Sequence, residues 1–238
     1  MTNRSVVLGV DGATGGWVIA QAAPATNGAL TLESLSFADS LSDSVKRLSS
    51  SNEFGVDVIA VDMPIGLPVD GNRPADSLAR QRLGPRRSTF FPTPIRATLD
   101  FDDYAAANAH SKHASGSGLS KQAWNLLPKI REVDALWSHE FAGRLVEAHP
   151  ETSFAEIAGE PVMTKKATAQ GQYERLELLS SIYADGFEEC LAELPPKWRV
   201  DAIDACAVAW SAKRHALGVA EVLGGEIDPM GRPMQLTI

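Results

Sequence analysis

The chain has 238 residues, 44% hydrophobic and 22% charged, a balance that suits a soluble globular protein with a well-buried core. A net charge of −8 excludes a surface that is basic overall, so any polyanion must be met by a local basic patch or through cations. Cys190 and Cys206 are too few for a disulfide framework, no apolar run reaches membrane length, and the N-terminus does not read as a signal peptide. The expected setting is therefore the cytoplasm, with no membrane partner.

In chain order, "SVVLGVD" (5–11) reads as a strand ended by "GATGG", and "WVIAQAA" (17–23) follows closely enough to form a hairpin with it. "ALTLESLSF" (29–37) alternates like a half-exposed third strand, and "SLSDSVKRLSS" (40–50) fits a short amphipathic helix. "GVDVIAVD" (55–62) is a continuous apolar run, the pattern of a central strand buried on both faces, and "MPIGLP" stops it. Residues 73–140 read as a proline- and arginine-rich insertion or lid. Within it, "HSKHASGSGLS" (110–120) looks like a flexible loop, and a helix over 120–140 should kink or break at Pro128. "RLVEAHP" (144–150) is a short strand, and helices follow at 171–183 and 200–216. The tail (225–238) has a turn between two extended pieces. Mixed strands with helices on both faces imply one α/β domain spanning 1–238.

Asp11 and Asp62 each end a valine-rich strand. Acids at the carboxyl ends of adjacent strands converge on the crevice where open α/β sheets bind ligands, although Asp also ends strands and caps turns for purely local reasons. Asp201 and Asp204, three apart in "DAIDACAVAW", share a helix face. In a first turn such acids also favour the helix by about 0.3–1 kcal/mol each through the macrodipole. Ala202, Ala205, Ala207, Ala209 and Ala212 would let this helix lie close to the sheet and bring its acids to the strand ends. Four crowded acids raise one another's pKa unless cations intervene, and hard oxygen ligands select Mg²⁺ or Mn²⁺. Glu147, His149 and Glu151 would share one strand face, where Glu147 could add a carboxylate and His149 a proton shuttle; His149 could equally serve only a backbone hydrogen bond.

Arg80, Arg82, Arg86, Arg87 and Arg96, with Phe90 and Phe91 among them, could track a phosphate backbone and stack bases. Lys165, Lys166 and Arg175 form a second basic group at a helix start. The alternative for each is an ion pair with one of the thirty acids.

The stretches "GVDGATGGWV", "IAVDMPIGLP", "ARQRLGPRRSTFFPTP", "SKQAWNLLPKI", "VEAHPETSF", "KKATAQGQYERLELL" and "DAIDACAVAWSA" together resemble the domain-of-unknown-function 429 family, predicted nucleases of RNase H-like fold. The closing helix is also similar to that of the RuvC-type Holliday-junction resolvases. The resemblance implies an RNase H-like mixed central sheet and a metal-dependent nuclease that hydrolyses phosphodiester bonds of DNA or RNA with two metal ions. It assigns metal ligation to Asp11, Asp62, Asp201 and Asp204; the resolvases carry glutamate where this chain has the shorter Asp62. It leaves Glu147 and His149 as further catalytic candidates and Arg86, Arg87, Arg96, Gln122, Lys165, Lys166 and Arg175 as substrate contacts. Paired cuts in a junction would need a homodimer.

Two other readings stay open: an ATPase or phosphotransferase of the actin-like superfamily, whose first hairpin also sets an acid and glycines beside phosphates, and a catalytically silent binding protein of the same fold. No second glycine-rich phosphate loop supports the former. Scattered histidines and distant cysteines speak against a zinc hydrolase.

Overall fold

The protein is described here by a computed structural model covering residues 5–25, 28–51, 55–137, 141–184 and 186–238. Its centre is a five-stranded mixed sheet in the order β3-β2-β1-β4-β5. Strands β1 (Val7–Ala13), β2 (Gly16–Pro24) and β3 (Leu30–Ala38) form an antiparallel meander, and β4 (Val58–Val61) and β5 (Leu145–Glu147) run parallel to β1. The β1–β2 turn is two residues long, with Gly15 at φ 82°, a conformation that side-chain-bearing residues rarely adopt.

Side chains alternate across each strand, so the sheet feeds two cores. Val58 and Ala60 join Val7 in the core under α8 (Arg199–Ala216), while Ile59 and Val61 join Leu8 and Val10 in the core beneath α1 (Leu41–Ser51) and α4 (Lys121–Leu136). The closeness of α8 to β1 comes from glycine and alanine. A Cβ on Gly9 would lie 2.1 Å from the Ala205 carbonyl oxygen and 2.3 Å from the Ala209 nitrogen, and the five alanines expected to permit this contact are fully buried. Helices α5 (Pro150–Ala158), α6 (Ala169–Ser180) and α7 (Phe187–Glu193) complete that side. A separate hairpin of β6 (Val222–Ile227) and β7 (Pro233–Thr237) packs with α2 (Pro74–Leu83), in agreement with the two extended pieces expected in the tail.

Several local expectations need correction. Strand β1 does not stop at Asp11 but continues to Ala13, because the hairpin pairs Asp11 with Val18. The segment expected to be a flexible loop is helical through Ser115 in α3 (Tyr104–Ser115). Asp103 caps its start by accepting from Ala106 N, and Gly116 closes it in a left-handed conformation. Helix α4 is not broken: it runs unbroken through Pro128, with Ile130, Val133 and Leu136 buried beyond it. The expected extension over 138–140 lies outside the described residues. Strand β5 ends at Glu147 and Pro150 opens α5, so Glu147, His149 and Glu151 do not share a strand face. No described helix is long and apolar enough to cross a membrane.

Candidate functional site at the ends of β1, β4 and α8

Asp11 and Asp62 continue the alternation that points Val7, Gly9, Val58 and Ala60 toward α8. The register sets Val10 beside Val61, and Asp62 N donates to Val10 O at 2.9 Å, so the two acids are neighbours across the parallel pair. Their carboxyl groups lie close enough for Asp62 to raise the Asp11 carboxyl and for Asp11 to act on Asp62 in turn. Gly12 N also donates to Asp11 Oδ1 at 2.9 Å. Asp204, fully buried in α8, accepts a hydrogen bond from the Lys166 ammonium at Oδ2, while its Oδ1 is buried without a partner. Asp201, one turn earlier on α8 and half-buried, lines the cleft above them.

The electrostatics record this crowding. Burial raises the Asp11 carboxyl well above its usual range, and Asp62 and Asp204 push it further. Burial also lifts Asp62 to about 7, against the pull of Lys166. Asp201 and Asp204 are raised as well, by burial first. The Lys166 ammonium is held protonated by Asp204 and Asp11 despite its own desolvation. These are the shifts expected when like charges share a desolvated space.

Asp11, Asp62 and Asp201 line a cleft of about 450 Å³. Arg86, Ser88, Thr89 and Phe91 border it from the insertion, Gln122 and Leu126 from α4, and Lys165 and Lys166 from the loop before α6. His149 sits beside Asp62 in the lining, packed at 4.8 Å and a 52° tilt against Phe90. Burial and the nearby Lys166 lower its pKa to about 3, so the ring is neutral at physiological pH; a hydrogen bond to the Thr89 backbone acts the other way, and Nδ1 is buried without a partner.

Other expected site residues are engaged elsewhere. Glu147, a catalytic candidate, is clamped by Arg73, whose Nη1 and Nη2 donate at 2.7 and 2.6 Å, and it accepts from Ile65 N at 3.0 Å. It ties the insertion to β5 and has no oxygen left for a reactant. Arg175, expected as a substrate contact, is fully buried on Glu151 at 2.8 Å. Arg96 is taken up by Asp134 at 3.0 Å and by Asp228. Arg82 pairs with Glu156 and Glu221, and Arg80 donates to Phe90 O at 2.9 Å. Arg87 is exposed and does not line the cleft.

Lys129 was not singled out by the sequence reading, although with Gln122 and Leu126 it follows the i, i+4, i+7 spacing of one helix face. Its ammonium donates to Gly16 O, lies 4.4 Å over the Trp17 ring, and feels the charges of Asp11 and Asp201. Its stem lies 3.0 Å from where a Cβ on Gly12 would be, so glycine at that position makes room for it.

Among the described residues, no three Asp, Glu, His or Cys side chains are spaced as a ready-made cation cage. Lys166 occupies one oxygen of Asp204. The donor set nevertheless fits a hard divalent cation in its chemistry. It is all carboxylate oxygen, one oxygen is buried and unpartnered, and the repulsion that raises these pKa values is what a cation relieves.

The family model described as "Protein of unknown function (DUF429)" matches residues 9–228, and the chain belongs to that family. No curated protein and no solved structure gives a significant match.

Proposed function

We propose that this member of a family without an assigned activity is a divalent-metal-dependent phosphodiesterase, of RNase H-like fold, acting on nucleic-acid phosphodiester bonds. The observation that carries the reading is the meeting of Asp11, Asp62 and Asp204 from two parallel strand ends and the packed helix, beneath a cleft whose rim is cationic. An acid on the first strand, one on the fourth and a pair on the closing helix is also the arrangement that the RNase H-like resemblance implies.

Asp11, Asp62, Asp201 and Asp204 would hold Mg²⁺ or Mn²⁺. Bound there, such ions supply a lowered pKa for an attacking water and stabilisation of the leaving oxyanion. The protein's own residues do the rest. Arg86 and Lys165 attract and orient the phosphate. With a cation held by the acids, Lys166 would be free of Asp204 and able to neutralise a phosphate oxygen. Carboxylates hold metal deprotonated, so a proton that burial keeps on Asp11 or Asp62 would have to be given up for a cation to be held there. His149, held neutral by burial, can accept a hydrogen bond at its unpartnered Nδ1. A reducing cytoplasm is supported by the two cysteines, both free thiols.

Calorimetric titration with MnCl₂ tests the proposal. Wild-type protein takes up Mn²⁺ and, with it, hydrolyses bis(p-nitrophenyl) phosphate; Asp204→Asn does neither. Absence of divalent-ion uptake by the wild type sinks the reading, and thermal stabilisation by ATP alone would point instead to a phosphotransferase.

A further inference from the structure

We propose that the cleft takes a small phosphodiester of about dinucleotide size and not a double helix, with its phosphate on Arg86, Lys165 and Lys166 and a hydroxyl or N–H of the ligand on His149. This rests on the reading of the acid cluster as a phosphodiesterase site and narrows it.

The first argument is size. The cleft measures about 450 Å³, and it is bordered by the strand ends, the insertion, α4 and the loop before α6. Pockets for small ligands span roughly 300–1,000 Å³. A duplex needs an open groove instead.

The second argument is charge. A protein gripping a duplex neutralises on the order of 6–10 phosphates, which requires a track of free Lys and Arg. Here several of the cations that could extend such a track are already in ion pairs. Arg82, Arg96, Arg175, Arg214 and Arg232 are in ion pairs with Glu156, Glu221, Asp134, Asp228 and Glu151. The positive groups lining the cleft are Arg86, Lys165 and Lys166, enough for one or two phosphate groups, on a chain of net charge −8.

The third argument is the lining itself. His149 is a cleft residue only 8% exposed, and its Nδ1 has no partner. A ring nitrogen without a partner can accept a hydrogen bond from a ligand's hydroxyl or N–H. Arg86 likewise keeps a buried, unpartnered Nε, its nearest acid being Glu151 at 3.6 Å. An unmet acceptor beside unmet donors suits a ligand that carries both a phosphate and a hydroxyl or N–H, as a nucleotide does. Phe91, Leu126 and Met63 add an apolar wall on which a flat base can rest.

Binding of the ribodinucleotide ApA, of inorganic phosphate and of a 20-base-pair DNA duplex, measured by calorimetry in EDTA and again in CaCl₂, separates the possibilities. ApA should bind the wild type. Arg86→Ala should weaken ApA and phosphate at least tenfold, and His149→Phe should weaken ApA at least fivefold while sparing phosphate. Mn²⁺ uptake should survive in Arg86→Ala, which also reports that this variant is folded. A duplex that binds at least tenfold more tightly than ApA, with a steep loss in salt, overturns the inference; so does a wild type that takes up Mn²⁺ but not ApA. Binding of ApA without any Mn²⁺ uptake keeps the inference and removes the metal chemistry beneath it.

Discussion

The ammonium of Lys166 bonds one carboxylate oxygen of Asp204 while the other oxygen of the same group is buried with no partner. One carboxylate thus already holds a cation and still has an unmet acceptor. In the folded protein Lys166 supplies the positive charge that three crowded acids require.

Removing that charge should have opposite effects on stability and on metal affinity. Lys166→Met leaves a buried carboxylate unpaired, which costs about 3–5 kcal/mol for a fully buried pair; the partly exposed lysine discounts this to about 1–2 kcal/mol. Its melting temperature in EDTA should fall below that of the wild type. Mn²⁺ should bind it at least tenfold more tightly, since no lysine has to be displaced. Weaker Mn²⁺ binding in this variant would show that Lys166 does not compete for the acids.

The pH dependence of stability follows from Asp62, whose carboxyl is raised from 3.8 to about 7 by burial and by Asp204 and Glu147, against Lys166 and the hydrogen bond from Asp11. A raised carboxyl favours the folded state while it is protonated, and that benefit is lost as pH rises from the unfolded value near 4 through 7. Urea unfolding in EDTA should therefore show wild-type protein losing stability relative to Asp62→Asn between pH 4.5 and about 7.5. A constant difference across that window would show that Asp62 is not raised.

Glu147 should prove structural. Breaking its buried pair with Arg73 by Glu147→Gln should cost about 3–5 kcal/mol, read as a fall in the urea midpoint. Under conditions where the variant remains folded, Mn²⁺ uptake should stay within a few-fold of wild type. Loss of uptake in folded Glu147→Gln would return this residue to the site.

Gly9 should be required for the meeting of β1 and α8. In Gly9→Ala the new methyl would fall on helix backbone, 2.1 Å from Ala205 O, where no rotamer gives relief. We expect a loss of about 3 kcal/mol or more, and weaker Mn²⁺ binding, because Asp204 is carried away from Asp11 as the helix moves.

Much of this architecture was legible before any coordinates. The alternation of "VVLGVD" and "VIAVD" fixes which face each residue occupies, and Asp11 and Asp62 stand in phase with Gly9 and Ala60, on the face that meets the alanine-rich helix. Asp201 is in phase with Ala205 and Ala209, which meet Gly9, and Asp204 lies beside Ala205 near the contact. Periods of two and of three to four are properties of the local backbone, so a single sequence carries them. What the sequence misjudged was also local: the proline within α4, kept helical by buried residues on both sides of it, and the end of β5, where Pro150 turned His149 and Glu151 away from a common strand face.

The sequence by itself determined the strand and helix periods, the faces on which the acids stand, and the small residues that let helix and sheet touch. Only the tertiary structure decided which charges are free. Arg73 finds Glu147 across 74 residues and Arg96 finds Asp228 across 132, whereas Lys165 and Arg86, the latter reaching Glu151 only at 3.6 Å, are left at the cleft. An ion pair forms where burial strips water from both partners and packing fixes their distance, and neither condition is encoded by spacing along the chain.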